Sequence, residues 1–211
     1  MSLLITCPEA AAVGTVLLDD CPQDVGQVQK LFFQRIYSTG TTRNTMTAVD
    51  AKLLATWTPL FAAIDGTKVQ QSPFIAAPEN ELGAPVTYGG GNDTPNGELI
   101  TVAFESSKFT CKILRVPAKT AESLKLLVGE KLGVYMVNEH GRIWSDSDDA
   151  TTPVNLYPVQ ISDLNVSDRK LGGRVEPDSY MITFNLPPNW SDKFVETIPT
   201  DFDPLTDFAN A

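Results

Sequence analysis

Residues 109–144, FTCKILRVPAKTAESLKLLVGEKLGVYMVNEHGRIW, decide how this chain reads. Residues 109–116 predict a strand, paired as a hairpin with LITVAF (99–104) around Glu105, Ser106, Ser107 and Lys108. Residues 120–132 predict a helix, because Leu124, Leu127, Val128 and Leu132 fall on one face. Thr120 is its expected cap, Glu122 suits its positive end and Lys131 its negative end, and Gly133 stops it. Residues 134–137 and 142–144 then pair across Asn138, Glu139, His140 and Gly141, with Gly141 in the left-handed position that closes a short loop. No strand–helix–strand alternation repeats, which disfavours a doubly wound parallel sheet.

Upstream, VQKLFFQRIY (28–37) is the first convincing strand. Its Leu31-Phe32-Phe33 run predicts burial on both faces, or one face against another chain. Thr47 and Asp50 form a capping-box pattern ahead of AKLLATWTPLFAAI (51–64). There Leu53, Leu54, Trp57, Leu60, Phe61 and Ile64 keep helical spacing, Pro59 ends or kinks the helix, and Gly66 stops it. Residues 67–98 hold Pro73, Pro78, Pro85 and Pro95 and the Gly89-Gly90-Gly91 run. So long an irregular connection is rare in a compact domain unless it is functional or disordered. Its apolar anchors predict an excursion, in hairpin form, that packs outside its own domain.

Downstream, residues 156–166 and SYMITFNL (179–186) read as two more strands, with Gly172 and Gly173 between them. The expected organisation is an N-terminal arm (1–27), one β-rich domain (28–186) with the excursion at about 67–98, and an extended C-terminal arm (187–211). The expected fold is mainly β, an antiparallel β-sandwich or small barrel with one or two flanking helices and long loops and arms.

With 211 residues and 42% hydrophobic content, the chain can bury one sizeable core. A net charge of −10 argues against tight nucleic-acid binding, which works through clustered lysine and arginine. Cys7, Cys21 and Cys111 form no CxxC pair and are odd in number, so they read as free thiols in a reducing compartment. The N-terminus has no basic n-region, and Pro8 and Glu9 interrupt its apolar run. Neither a signal peptide nor membrane insertion is expected.

Chemistry has few places to reside. His140, the one histidine, lies in a hairpin turn, and no G-x-S-x-G elbow occurs, so no catalytic residue is expected. Asp146, Asp148 and Asp149 in SDSDDAT are weak candidates for a hard cation, because the Gly and Glu of an EF-hand loop are missing. The glycine run lacks the helix and lysine that phosphate binding needs, and no cofactor is expected.

Subunit contact is the better use of the irregular segments. Phe74, Tyr88, Trp190, Phe194, Phe202 and Phe208 either pin loops to their own core or insert into a neighbouring subunit. Charge is uneven: residues 106–132 are net basic, with Lys112, Arg115 and Lys119 among the cations, and residues 192–211 are net acidic, with Asp201 and Asp203. An acidic tail lying on the basic region of the next copy would set register and orientation.

The strand–helix–hairpin core at 109–144, the excursion at 67–98 and the tail NLPPNWSDKFVETIPTDFDPL (185–205) together resemble virion proteins of tailed bacteriophages. In style the match is to the tail tube proteins. The resemblance implies a β-sandwich with a flanking helix, identical subunits in hexameric rings stacked around a DNA channel, and contacts with other virion proteins. It implies a virion location after assembly in the host cytoplasm, and a non-enzymatic role. The helix at 47–64 departs from the simplest tube pattern. It keeps a neck or ring protein, a tail terminator and a capsid decoration protein open. A carbohydrate-binding adhesion module and a carboxylate or metal hydrolase are the rivals outside that class.

Overall fold

The structure, a computed structural model, describes residues 26–94 and 97–208. The N-terminal arm expected over 1–27 therefore lies outside the described residues apart from Gly26 and Gln27, and so do Cys7 and Cys21.

Two antiparallel sheets carry the chain. The larger curls into a half-barrel. It orders β4 (Met46–Thr47), β12 (Asn155–Tyr157), β11 (Ile143–Ser147), β10 (Leu132–Asn138), β1 (Val28–Arg35) and β5 (Val69–Gln71). β13 (Val159–Gln160) also joins β10, and β16 (Phe194–Thr197) joins β11. The smaller sheet runs β14 (Ser162–Val166), β15 (Ser179–Leu186), β9 (Ser107–Leu114) and β6 (Ile75–Glu81). Two hairpins stand apart from both: β2 (Tyr37–Thr39) with β3 (Thr42–Arg43), and β7 (Pro85–Gly89) with β8 (Leu99–Phe104). The helices are α1 (Leu54–Ala62) and α2 (Ala118–Lys125), with a short 3-10 turn at Asp50–Lys52 before α1.

Side-chain alternation explains the layering. A strand buried on both faces must be apolar on both, and β1 and β10 are. Leu31, Phe33, Val134 and Met136 face the smaller sheet, while Phe32, Tyr135 and Val137 face the opposite way. The smaller sheet has one wet face, so its strands alternate. β9 points Phe109, Cys111 and Ile113 inward and leaves Lys108, Lys112 and Leu114 exposed. Phe109 stacks on Phe184 of β15 at 4.8 Å between centroids. α2 closes this first core with Ala121 and Leu124. α1 covers the second, setting Trp57 edge-on to Tyr135 at 5.2 Å. Burial pushes the Cys111 thiol up to about 12.

The 138–141 turn forms as expected, with Met136 opposite Trp144 and Gly141 at φ +72°. Thr47 and Asp50 do bond, the Asp50 N–H donating to Thr47 Oγ1 at 3.1 Å and the Thr47 hydroxyl to the Asp50 carboxylate at 2.7 Å, but they do not cap the helix expected over 51–64, which runs only Leu54–Ala62 with Leu53 at its cap position and leaves Ile64 exposed. Pro59 lies inside α1 without ending it.

Four expectations need correction. β8 does not pair with β9. It pairs with β7, and β9 takes β15 and β6 as neighbours, with Cys111 opposite Ile182 and Ile75 opposite Ile113. The inward side chains of β9 need apolar neighbours that also have a polar reverse face, and LITVAF has none to offer. The second helix is shorter than 120–132. It is capped at Pro117 rather than Thr120 and gives way to turns that include Gly129 at φ +89°, so Leu132 opens β10 instead of ending the helix. The single strand expected at 156–166 is cut into three, and Pro158, which has no N–H for a ladder, lies at one break. Residues 187–208 are not extended. They fold back along the larger sheet, with Asp146 opposite Phe194 and Ile143 opposite Thr197.

Candidate interaction surface

The β7–β8 arm has the least conventional burial in the molecule. All six residues of β8 are exposed, although five of them are Leu, Ile, Val, Ala and Phe. Four residues of β7 are exposed as well, including Val86 and Tyr88. Tyr88 is 60% exposed and pairs with Ile100, and Phe104 is 55% exposed and pairs with Pro85. A lone two-stranded ribbon is marginal in water, and an apolar edge strand invites pairing with another chain.

Two devices hold this ribbon in shape. At its base, the Glu105 N–H donates to the Ala84 carbonyl at 3.0 Å, and Gly83 passes so close that a Cβ would lie 2.0 Å from the Glu105 carbonyl oxygen. At its tip, the Thr94 hydroxyl accepts from the Gly90 N–H at 3.2 Å and donates to the Glu98 carbonyl at 2.5 Å. The Gly89-Gly90-Gly91 run supplies the positive φ values of that turn. The excursion expected over 67–98 thus resolves into β5, β6 and the first half of this arm.

The other expected contact residues divide. Phe74 is exposed, beneath the Lys30 ammonium at 4.7 Å from its ring centroid. Lys112, Arg115 and Lys119 are exposed at the C-terminal end of β9 and the start of α2. The tail residues are occupied by their own chain. Trp190 and Phe194 pack edge to face at 5.4 Å, and Phe194 also meets Trp144. Phe202 lies against Phe208, which is 4% exposed. Asp201 accepts from the Leu54 N–H at 2.8 Å, a cap for α1 from far along the chain, since Leu53 at the cap position supplies no side-chain bond. Asp203 accepts from the Leu205 N–H at 2.9 Å and faces Lys30. Glu196 pairs with Arg142 and accepts from Trp144 Nε1 at 3.1 Å. Of the tail's carboxylates Glu196 is taken up in an ion pair, while Asp192, Asp201, Asp203 and Asp207 remain exposed. The most exposed apolar element among the described residues is the arm; the sequence flagged its first half through the 67–98 excursion and Tyr88, and the apolar run LITVAF was the missed signal.

The acidic loop is self-satisfied. Asp146 pairs with Arg43 at 3.0 Å. Asp148 accepts from the Val154 and Asn155 N–H groups, and Asp149 from those of Thr151 and Thr152. These bonds hold both carboxyls below the ordinary aspartate value, Asp148 through Asn155 first and Asp149 through Thr152 first. Among the described residues, no three His, Cys, Asp or Glu side chains gather as metal ligands. His140 lies in the turn, its N–H donating to Asn138 Oδ1 at 3.0 Å. A cleft of about 750 Å³ beside the α2–β10 turn contains Glu130 and Asp163. Glu130 is held by Arg35 at 2.8 Å and Asp163 by Asn185 at 2.9 Å. No described helix is long and apolar enough to cross a membrane.

No family model and no curated protein sequence matches the chain. A solved chain from the tail of an empty GTA particle with C6 symmetry shows a distant likeness. It has 13% identity and a TM-score of 0.34, covering 63% of this chain and 87% of that one. By its own sheets, the chain is an antiparallel β protein of two packed sheets, a half-barrel and a smaller four-stranded sheet, with a projecting arm rich in apolar residues.

Proposed function

We propose that this protein is a non-enzymatic structural subunit of a phage-like virion, a tail-tube ring protein that assembles with identical copies around a DNA conduit. The observation that carries this reading is the arm: a ribbon exposed along the whole of β8, with Ile100, Val102 and Phe104 making one apolar face. Such surface is stable in water only when a partner covers it. The tube-like features of the sequence, a strand–helix–hairpin core and a long excursion, support the same reading. The net charge of −10 suits a channel wall that lets DNA pass without gripping it. Contacts with other virion proteins, location in the virion and absence of catalysis belong to the same proposal.

Light scattering after size exclusion, followed by negative-stain imaging, tests it. Rings or tubes are the expected result. A monodisperse monomer at high concentration overturns it and favours an adhesion module whose aromatics, Tyr88 and Phe104, face solvent for a ligand.

A further inference from the structure

We infer that the acceptor for the arm is the opposite end of the same sheet on a second copy, so that subunits add head to tail along β9. The inference rests on the arm being an assembly element and adds where it docks. β9 joins the two ends. Its first residue, Ser107, follows the arm, and its last, Leu114, lies opposite Ser179 where the 167–178 loop returns. Seven extended residue steps separate them by about 23 Å.

The ends are opposite in charge. Residues 79–105 hold Asp93, Glu98 and Glu105 on or beside the arm and Glu79 and Glu81 on the adjoining β6, against one exposed cation at that end, Lys108, which lies opposite Glu81. None of these carboxylates has an ion-pair partner among the described residues. At the far end Lys125 pairs with Asp168, Lys170 with Glu176 at 3.1 Å and Arg169 with Asp178 at 3.8 Å. Arg115, Lys119 and Arg174 are exposed there with no ion-pair partner among the described residues, against one such carboxylate, Glu122, so the end is net basic. Exposed Leu114, Leu171, Val175 and Met181 stand among them, so the surface is apolar as well as basic, matching the arm on both counts.

The Arg115 backbone adds a local sign. It sits at φ +56°, a left-handed conformation that non-glycine residues adopt only under strain, and its N–H donates to the Asp178 carbonyl at 3.0 Å. Glycine would fill this place at less strain, yet an exposed arginine does. Arm and acceptor are different surfaces, so the contact is heterologous and propagates from copy to copy.

Reciprocal charge reversal tests this on the full chain. One variant carries Arg115→Glu, Lys119→Glu and Arg174→Glu; the other carries Glu79→Lys, Glu81→Lys and Glu98→Lys. Each alone should lose end-to-end association by about tenfold or more at low salt, and an equimolar mixture should recover it. Arg115→Gly separates folding from docking: thermal stability should hold or rise while association weakens. Wild-type protein that associates, beside an acceptor variant that associates equally well, overturns the acceptor and leaves the assembly reading standing. The same holds if two folded variants fail to rescue each other. A wild-type protein that never associates overturns both.

Discussion

Residues 84–104 and residues 187–208 share a texture, with proline, aromatic side chains and no helical period, but they end in different environments. The tail finds its partners within the chain. Glu196 meets Arg142, Asp201 meets the start of α1, and the Lys30 ammonium donates to the Leu205 carbonyl at 2.6 Å. Gln71 donates to the Phe208 carbonyl, and the Phe208 ring slides against Phe61 at 4.3 Å. The arm has no such receiver. Its backbone bonds are made within its own two strands and its tip, and its apolar side chains meet solvent. The difference teaches that an irregular segment is an intermolecular element only if the chain's own sheets leave it nothing to cover. Two such segments cannot be told apart by composition.

Replacing residues 84–104 with a two-residue Asn-Gly turn would break the comparison most sharply. Assembly should be lost entirely in light scattering, while the melting temperature stays within about 3 °C, because the arm buries little against the body. A replaced protein that still assembles removes the arm from the interface. Phe208→Ala makes the converse cut. Losing a buried ring should cost about 3 kcal/mol in denaturant titration, with association of the remaining folded protein unchanged. A cost below about 1 kcal/mol would mean that the tail is not bound as described.

Asp201→Ala should cost about 1 kcal/mol by removing the cap on α1. Asp201→Asn should restore most of it, since the amide oxygen can accept from Leu54. If instead Asp201→Ala leaves stability untouched but weakens association, Asp201 belongs to the interface after all.

The smallest effect concerns Lys30. Burial holds its ammonium below the ordinary lysine value, with Asp203 partly opposing. Between the folded and unfolded values the unfolded chain binds the extra proton, so stability should rise with pH in that alkaline window. Lys30→Met should flatten the rise in urea titrations across that range. An unchanged slope would assign it to another group.

Much of the fold was legible in local pattern. The Leu31-Phe32-Phe33 run predicts a strand buried on both faces, and Phe32 and Phe33 do enter different cores. Gly141 marks its turn by a requirement for positive φ that few residues meet. Pairing was less legible. LITVAF and FTCKILRV are neighbours in sequence, so a hairpin between them is the economical reading, but strands select partners by which faces they leave dry. The tail's contacts within its own chain were not legible either, because Arg142, Lys30 and the Leu54 N–H are brought to it only by folding.

By itself the sequence determined an antiparallel β class and two strand types, one amphipathic and one fully apolar. These follow from residue spacing and chemistry within a few positions. Tertiary structure alone decided that β9 joins β15 and β6, that the tail closes over α1, and that the arm is left in solvent. Those outcomes depend on competition between distant segments for the same dry surface, and such competition is resolved only when the whole chain packs.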